Sequence, residues 1–88
     1  MTSVQVHYEG RVQGVGFRWS LKNIACGFEV AGAARNLPDG RVELIVQGDE
    51  VEDFLDAIRA SEVAGHIEQE RVSPAPLLPG LKGFSIIP

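Results

Sequence analysis

The sequence predicts a small α+β domain, and three observations predict it. Apolar and polar residues alternate over residues 4 to 12, which is the spacing of a half-buried strand. Residues 51 to 58 repeat apolar side chains at the i, i+3, i+4, i+7 spacing of a helix lying on a core. The chain has 88 residues and 44% of them are hydrophobic, which is enough for one core. We therefore expect a single domain over residues 1–88.

The first half of the chain predicts a strand, a helix and a second strand. A glycine-rich segment follows the strand at residues 4 to 12. Residues 18 to 26 contain neither proline nor glycine, and Gly27 is placed to end a helix there. Residues 28 to 36 form the next predicted strand, although Gly32 and three alanines weaken it.

A hairpin and a second helix follow. The turn residues Pro38-Asp39-Gly40 precede an alternating strand at residues 42 to 47, which predicts a β-hairpin. Asp49 is predicted to cap the second helix, and Glu52 stands three residues later, as in a capping box.

The C-terminal part predicts two more strands. Residues 66 to 72 have a poor strand composition, residues 73 to 83 form a proline-rich loop, and residues 84 to 87 resemble a short terminal strand. The order strand, helix, strand, strand, helix, strand is that of the split βαβ, or ferredoxin-like, fold. We expect an antiparallel sheet with both helices on one face.

Composition excludes several classes of protein. The net charge of −4 argues against a nucleic-acid partner, which needs a basic surface. No apolar run approaches the length of a membrane span, and the N-terminus lacks the pattern of a signal peptide. Cys26 is the only cysteine, so neither an internal disulfide nor a typical zinc site is expected. These features predict a cytoplasmic protein that binds neither membranes nor metal.

The charges are unevenly distributed. Residues 11 to 41 hold five basic and two acidic residues, a net charge of +3, whereas the remainder has a net charge of −7. Such a local excess can attract a small anion to an acidic protein, although chance in a short chain gives the same pattern.

The segment Gly10-Arg11-Val12-Gln13-Gly14-Val15-Gly16-Phe17-Arg18 predicts an anion site. Its three glycines lie between a strand and a helix, where free backbone N–H groups and the helix dipole favour negative charge. Arg18 offers a guanidinium fork at the start of the helix; the alternative is a solvated surface arginine. The segment matches neither the dinucleotide-binding nor the P-loop pattern, so no nucleotide cofactor is expected.

Four other polar residues are candidates for a site. Asn36 shares its strand parity with Ala34, so its amide can point toward the start of the first helix; an ordinary turn role is the alternative. His7 and His66 belong to no catalytic constellation and are expected at the surface. Cys26 is expected to be a buried core residue.

Three segments of the chain resemble the acylphosphatase family. They are residues 10–18, Arg35-Asn36-Leu37-Pro38-Asp39-Gly40-Arg41-Val42-Glu43, and Gly80-Leu81-Lys82-Gly83-Phe84. The resemblance implies hydrolysis of acyl phosphates to a carboxylate and phosphate, without metal, cofactor or covalent intermediate. It implies that Arg18 binds the phosphate and that Asn36 positions the attacking water. It also implies a phosphate-binding loop made by the backbone N–H groups of Gln13, Gly14, Val15, Gly16, Phe17 and Arg18.

The sequence departs from the family pattern at three positions. Ala33 and Ala34 replace an aromatic and a β-branched residue, and Glu70 stands where an apolar strand residue is usual. Two alternatives to a free-standing, monomeric enzyme remain. One is a non-catalytic module that binds carboxyl phosphates or other anions. The other is a domain like that of larger carbamoyl-phosphate-handling maturation proteins; because the chain stops at Pro88, an independent protein is expected.

Overall fold

The computed structural model describes all of residues 1–88. Neither of its nine-residue helices is long and apolar enough to cross a membrane. The elements, in chain order, are β1 (Thr2–Gly10), α1 (Phe17–Ala25), β2 (Val30–Asn36), β3 (Val42–Gly48), α2 (Val51–Arg59), a 3-10 helix (Glu62–His66), β4 (Ile67–Pro74) and β5 (Phe84–Ile87).

The strands form one five-stranded sheet in the order β4-β1-β3-β2-β5. β1 is antiparallel to both β3 and β4, and β2 is antiparallel to β3. The ferredoxin-like α+β fold is therefore confirmed. The sheet is mixed rather than wholly antiparallel, because β5 runs parallel to β2 at the edge. As a consequence, β1, β2 and β5 run in one direction and end at the same end of the sheet.

One face of the sheet carries the core. Alternating residues of β1 and β3 meet the apolar stripes of the two helices there. Phe54 of α2 lies 6.2 Å from Phe28 and 6.3 Å from Phe84, measured between ring centroids. The sixteen buried core residues are Val4, Val6, Tyr8, Val12, Phe17, Leu21, Ala25, Ala34, Val42, Leu44, Val46, Val51, Phe54, Leu55, Ile58 and Val63.

The predicted cap of α2 is wrong. Glu50, not Asp49, is the N-cap residue, and no side chain caps the helix. The carboxylate of Glu50 accepts a hydrogen bond from the backbone N–H of Glu29 at 2.8 Å, in the turn before β2. The backbone N–H groups of Asp49 and Glu50 donate to the carbonyl of Glu29 at 3.1 and 3.3 Å, so the start of α2 is bonded to a distant part of the chain and not to a local side chain.

Glu70 is accommodated in β4 by an ion pair. It lies opposite Tyr8 in the sheet and accepts a 2.7 Å hydrogen bond from the guanidinium of Arg59, at the end of α2. Despite its poor strand composition, this segment forms a strand, because β4 pairs with β1 along its length; the register shifts once, between Glu9 and Gly10.

Replacing Phe54 with alanine tests the core. Because this ring is fully buried between two other rings, we expect Phe54→Ala to lower the free energy of unfolding by about 3–5 kcal/mol. Urea denaturation measures this change. Trp19→Ala is the control, since that side chain is 58% exposed and its loss should cost less than about 0.5 kcal/mol. Similar losses in the two variants would contradict this packing.

Candidate active site

The loop between β1 and α1 presents free backbone donors. Gly14 and Gly16 adopt left-handed conformations, with φ of 78° and 74°. Gly16 is the N-cap of α1, and the first helical hydrogen bond runs from the N–H of Ser20 to its carbonyl at 3.0 Å. The N–H groups of residues 13–16 donate to no other backbone group. The loop thus has the features of an anion site at a helix N-terminus.

Phe17 anchors the end of this loop. Its ring is buried and packs edge-on against Tyr8, with 5.3 Å between ring centroids. By contrast, the three residues before it, Gly14, Val15 and Gly16, are exposed. The start of α1 is therefore fixed to the core while the loop faces solvent.

Arg18, the second residue of α1, is held by the last strand. Its Nη1 donates a 2.7 Å hydrogen bond to the carbonyl oxygen of Ile87 in β5. The other N–H groups of this guanidinium donate to no protein atom. One side of the guanidinium is thus fixed, and the remaining donors are available to a ligand.

Asn36 lies at the same end of the sheet. It is the last residue of β2, it is exposed, and its side chain makes no hydrogen bond within the protein. Its neighbour Arg35 pairs with Ile87 across the parallel β2–β5 ladder. The carbonyl that holds Arg18 therefore lies beside the residue that precedes Asn36.

Gln13 links the loop to the β2–β3 turn through its side chain. The Nε2 of Gln13 donates to the carbonyl of Leu37 at 2.8 Å and to that of Arg41 at 3.0 Å. The family resemblance implies a role only for the backbone N–H of this residue. The acceptors are 24 and 28 residues away along the chain, so no local signal reveals the contact.

A polar cluster lies on the open face of the sheet, behind the end of β2. The side chain of Glu43 is only 7% exposed. It accepts hydrogen bonds from Gln5 at 3.0 Å and Arg35 at 2.8 Å, and the Nε2 of His7 lies 3.2 Å away. Burial alone would raise the pKa of Glu43, but the hydrogen bonds from Arg35 and His7 outweigh it and lower the pKa. The cluster fixes Arg35, one residue before Asn36.

Two expectations for other polar residues are corrected. Cys26 is exposed at the end of α1 rather than buried, because the buried face of the helix is formed by Phe17, Leu21 and Ala25, and Cys26 lies outside it. His7 is half-buried and bonded to Glu43 rather than free at the surface. No group of three or more His, Cys, Asp or Glu side chains is arranged to share a metal ion.

The basic residues around the loop fall into two groups. Arg35 and Arg41 are paired with Glu43 and Asp39, at 2.8 and 2.7 Å. Arg11, Arg18 and Lys22 have no carboxylate partner within 4.0 Å. The unpaired positive charge near the loop therefore comes from α1 and from the residue after β1.

Comparison with known proteins gives the family. The Acylphosphatase family model matches residues 4–86, and the chain belongs to this family. An acylphosphatase of Lactobacillus johnsonii is 38% identical over 90 residues, covering 99% of each chain. The crystal structure of acylphosphatase from Bacillus subtilis superposes with a TM-score of 0.87 at 32% identity, again over 99% of each chain. The structure of T. kodakarensis HypF matches with a TM-score of 0.85 at 26% identity; the match covers 100% of this chain and 12% of that one.

Shortening the C-terminus tests whether the hydrogen bond from Arg18 to Ile87 is needed for activity. Removal of Ile87 and Pro88 takes away the acceptor of the 2.7 Å hydrogen bond, so the guanidinium is no longer fixed. On the expectation that Arg18 binds the phosphate, kcat/KM with an acyl phosphate should fall about 10-fold or more, because misplacement of a binding group is costly. Removal of Pro88 alone is the control, since the carboxylate of Ile87 then remains as acceptor. Equal activity of the two shortened chains would show that this contact is not needed.

The Glu43 cluster predicts a pH dependence of stability. A carboxyl whose pKa is lowered by folding stabilises the protein above its usual pKa of 4.5, and this stabilisation is lost as the pH falls through the lowered value. Between about pH 6 and pH 3, the free energy of unfolding should fall more steeply for the wild type than for Glu43→Gln. Urea denaturation across this range measures both, with the exposed Glu68→Gln as the control. Parallel pH profiles of wild type and Glu43→Gln would contradict the lowered pKa.

Proposed function

We propose that this acylphosphatase hydrolyses the carboxyl-phosphate bond of small acyl phosphates, with Arg18 and the loop at residues 13 to 18 binding the phosphate and Asn36 positioning the water. The observation that carries these assignments is the position of Arg18 at the helix start, beside free loop N–H groups and at the end of the sheet where β2 ends with Asn36.

The loop and Arg18 supply electrostatic stabilisation. A phosphoryl group in transfer carries negative charge on its three peripheral oxygens, and donors already in place stabilise that charge without reorganising. The N–H groups of residues 13 to 18 and the free guanidinium donors are such groups. The hydrogen bond to Ile87 orients Arg18 before the substrate binds.

Asn36 would hold the attacking water. Its side-chain amide can accept a hydrogen bond from a water and donate one to a phosphoryl oxygen. The water oxygen attacks phosphorus, the bond from phosphorus to the acyl oxygen breaks, and the carboxylate leaves with the electron pair. Because a carboxylate is weakly basic, its departure needs no general acid, and the released proton can pass to solvent. Positioning and charge stabilisation are then sufficient for the reaction, and we propose that it needs neither metal nor a covalent phosphoenzyme.

The same proposal extends to assembly and location. We propose a monomer of the cytoplasm whose partner is a small-molecule acyl phosphate and not a nucleic acid. The single chain forms its own sixteen-residue core, the lone cysteine needs no oxidising compartment, and the net charge of −4 disfavours nucleic acid.

Turnover of benzoyl phosphate tests the function. Removal of the phosphate-binding guanidinium in Arg18→Ala should lower kcat/KM by roughly 10³–10⁵, the range for arginines that stabilise a transferring phosphoryl group. Arg11→Ala is the matched control, because it removes an exposed, unpaired arginine from the same basic region. That variant should stay within about threefold of wild type, since a solvated charge adds only weak steering.

Three results would contradict the proposal. An equal loss of kcat/KM in Arg18→Ala and Arg11→Ala would show that Arg18 contributes only its positive charge and no specific contact. Strong inhibition by a chelator such as EDTA would overturn the metal-independent mechanism. Binding of inorganic phosphate by the wild type without any turnover would indicate a binding module in place of an enzyme.

A further inference from the structure

The side-chain amide of Gln13 joins two parts of the site that are remote in sequence. Its Nε2 donates to the carbonyls of Leu37 and Arg41 at 2.8 and 3.0 Å. These two carbonyls lie at the neck of the β2–β3 turn, which is closed by a 2.8 Å hydrogen bond from the N–H of Leu37 to the carbonyl of Arg41. One amide group thus fixes both sides of the turn to the loop.

Asn36 has few other restraints. Its side chain makes no hydrogen bond within the protein, and on one side Asn36 itself pairs with Val42 of β3, the last pair of that ladder. On the other side, the ladder with β5 stops at Arg35 and Ile87, one residue before Asn36. The next residue, Leu37, is the one that Gln13 holds. The contact with Gln13 therefore acts where β5 no longer restrains this strand and only its pairing with β3 remains.

We propose that Gln13 is a positioning residue that sets the place of Asn36 relative to the phosphate-binding loop. The inference rests on the proposed function, in which the loop and Arg18 bind the phosphoryl group and Asn36 positions the water. Gln13 belongs to the loop and its side chain holds the turn, so it fixes the distance between the bound phosphoryl group and the water. A change in that distance lowers the rate of the chemical step and leaves anion binding largely intact.

Gln13→Met tests this role, because methionine has a similar length but no hydrogen-bond donor. We expect kcat for benzoyl phosphate to fall about 10- to 100-fold, the loss that follows a displacement of about 1 Å. The inhibition constant of inorganic phosphate should change less than about threefold, since its binding groups remain. Gln47→Met is the matched control: it also removes an amide that donates to a backbone carbonyl, that of Leu78, at the other end of the sheet from Asn36, and it should leave kcat within about twofold.

A double-mutant cycle separates positioning from a general structural effect. If Gln13 acts through Asn36, then Gln13→Met should lower kcat less than about twofold further in an Asn36→Ala background. The same fold loss in both backgrounds would overturn the inference. So would an unchanged kcat in Gln13→Met, or a weakening of phosphate inhibition as large as the loss in kcat. Gln13→Asn, whose shorter amide does not span both carbonyls, should give the same pattern if Gln13→Met does not fold.

Amide hydrogen exchange provides a readout that does not need turnover. The N–H groups of Leu37 and Gly40 are hydrogen-bonded within the turn, and in Gln13→Met they should exchange faster while Leu21 in α1 is unchanged. If exchange is faster in Gln13→Met but the wild type has no turnover, the proposed function is rejected, while the contact between Gln13 and the turn is supported. Unchanged exchange and unchanged kcat, in an active wild type, would reject the role of Gln13 alone.

Discussion

The turn through Gly14 and Gly16 is the constraint on which the candidate site depends. Both residues have positive φ, at 78° and 74°, a conformation that costs glycine little and other residues more. This turn lets the chain pass from the end of β1 to the start of α1 within six residues, and the N–H groups of residues 13–16 donate to no other backbone group. Because Phe17 then enters the core, Arg18 has a fixed place at the helix start.

Strand direction brings the remote parts of the site together. β1, β2 and β5 run in one direction, so Gly10, Asn36 and Ile87 lie at one end of the sheet. Two side chains then join these ends: Arg18 donates to Ile87, and Gln13 donates to the turn after Asn36. The site thus combines a helix start with two strand ends, which suits a reaction that depends on positioning more than on acid–base chemistry.

Much of the fold could be predicted from local patterns, since alternation and helical periodicity report which residues face the core. The loop at residues 10 to 18 could also be identified from its glycines and its arginine. Contacts between distant residues could not be predicted. Glu50 bonds to a backbone group 21 residues away and leaves α2 uncapped, and Gln13 and Arg18 reach acceptors 24 to 69 residues away. The cluster around Glu43 likewise needs strand pairing that no single segment encodes.

The proposed reaction needs no general acid, because the leaving carboxylate is a weak base. The protein must instead hold the phosphoryl group and the water in line. A crystal structure with bound phosphate tests this most directly. We expect the anion within about 3 Å of the Arg18 guanidinium and of several N–H groups from residues 13 to 18, with Asn36 one water molecule away. An anion bound elsewhere, with Arg18 and the loop N–H groups making no contact to it, would contradict this site.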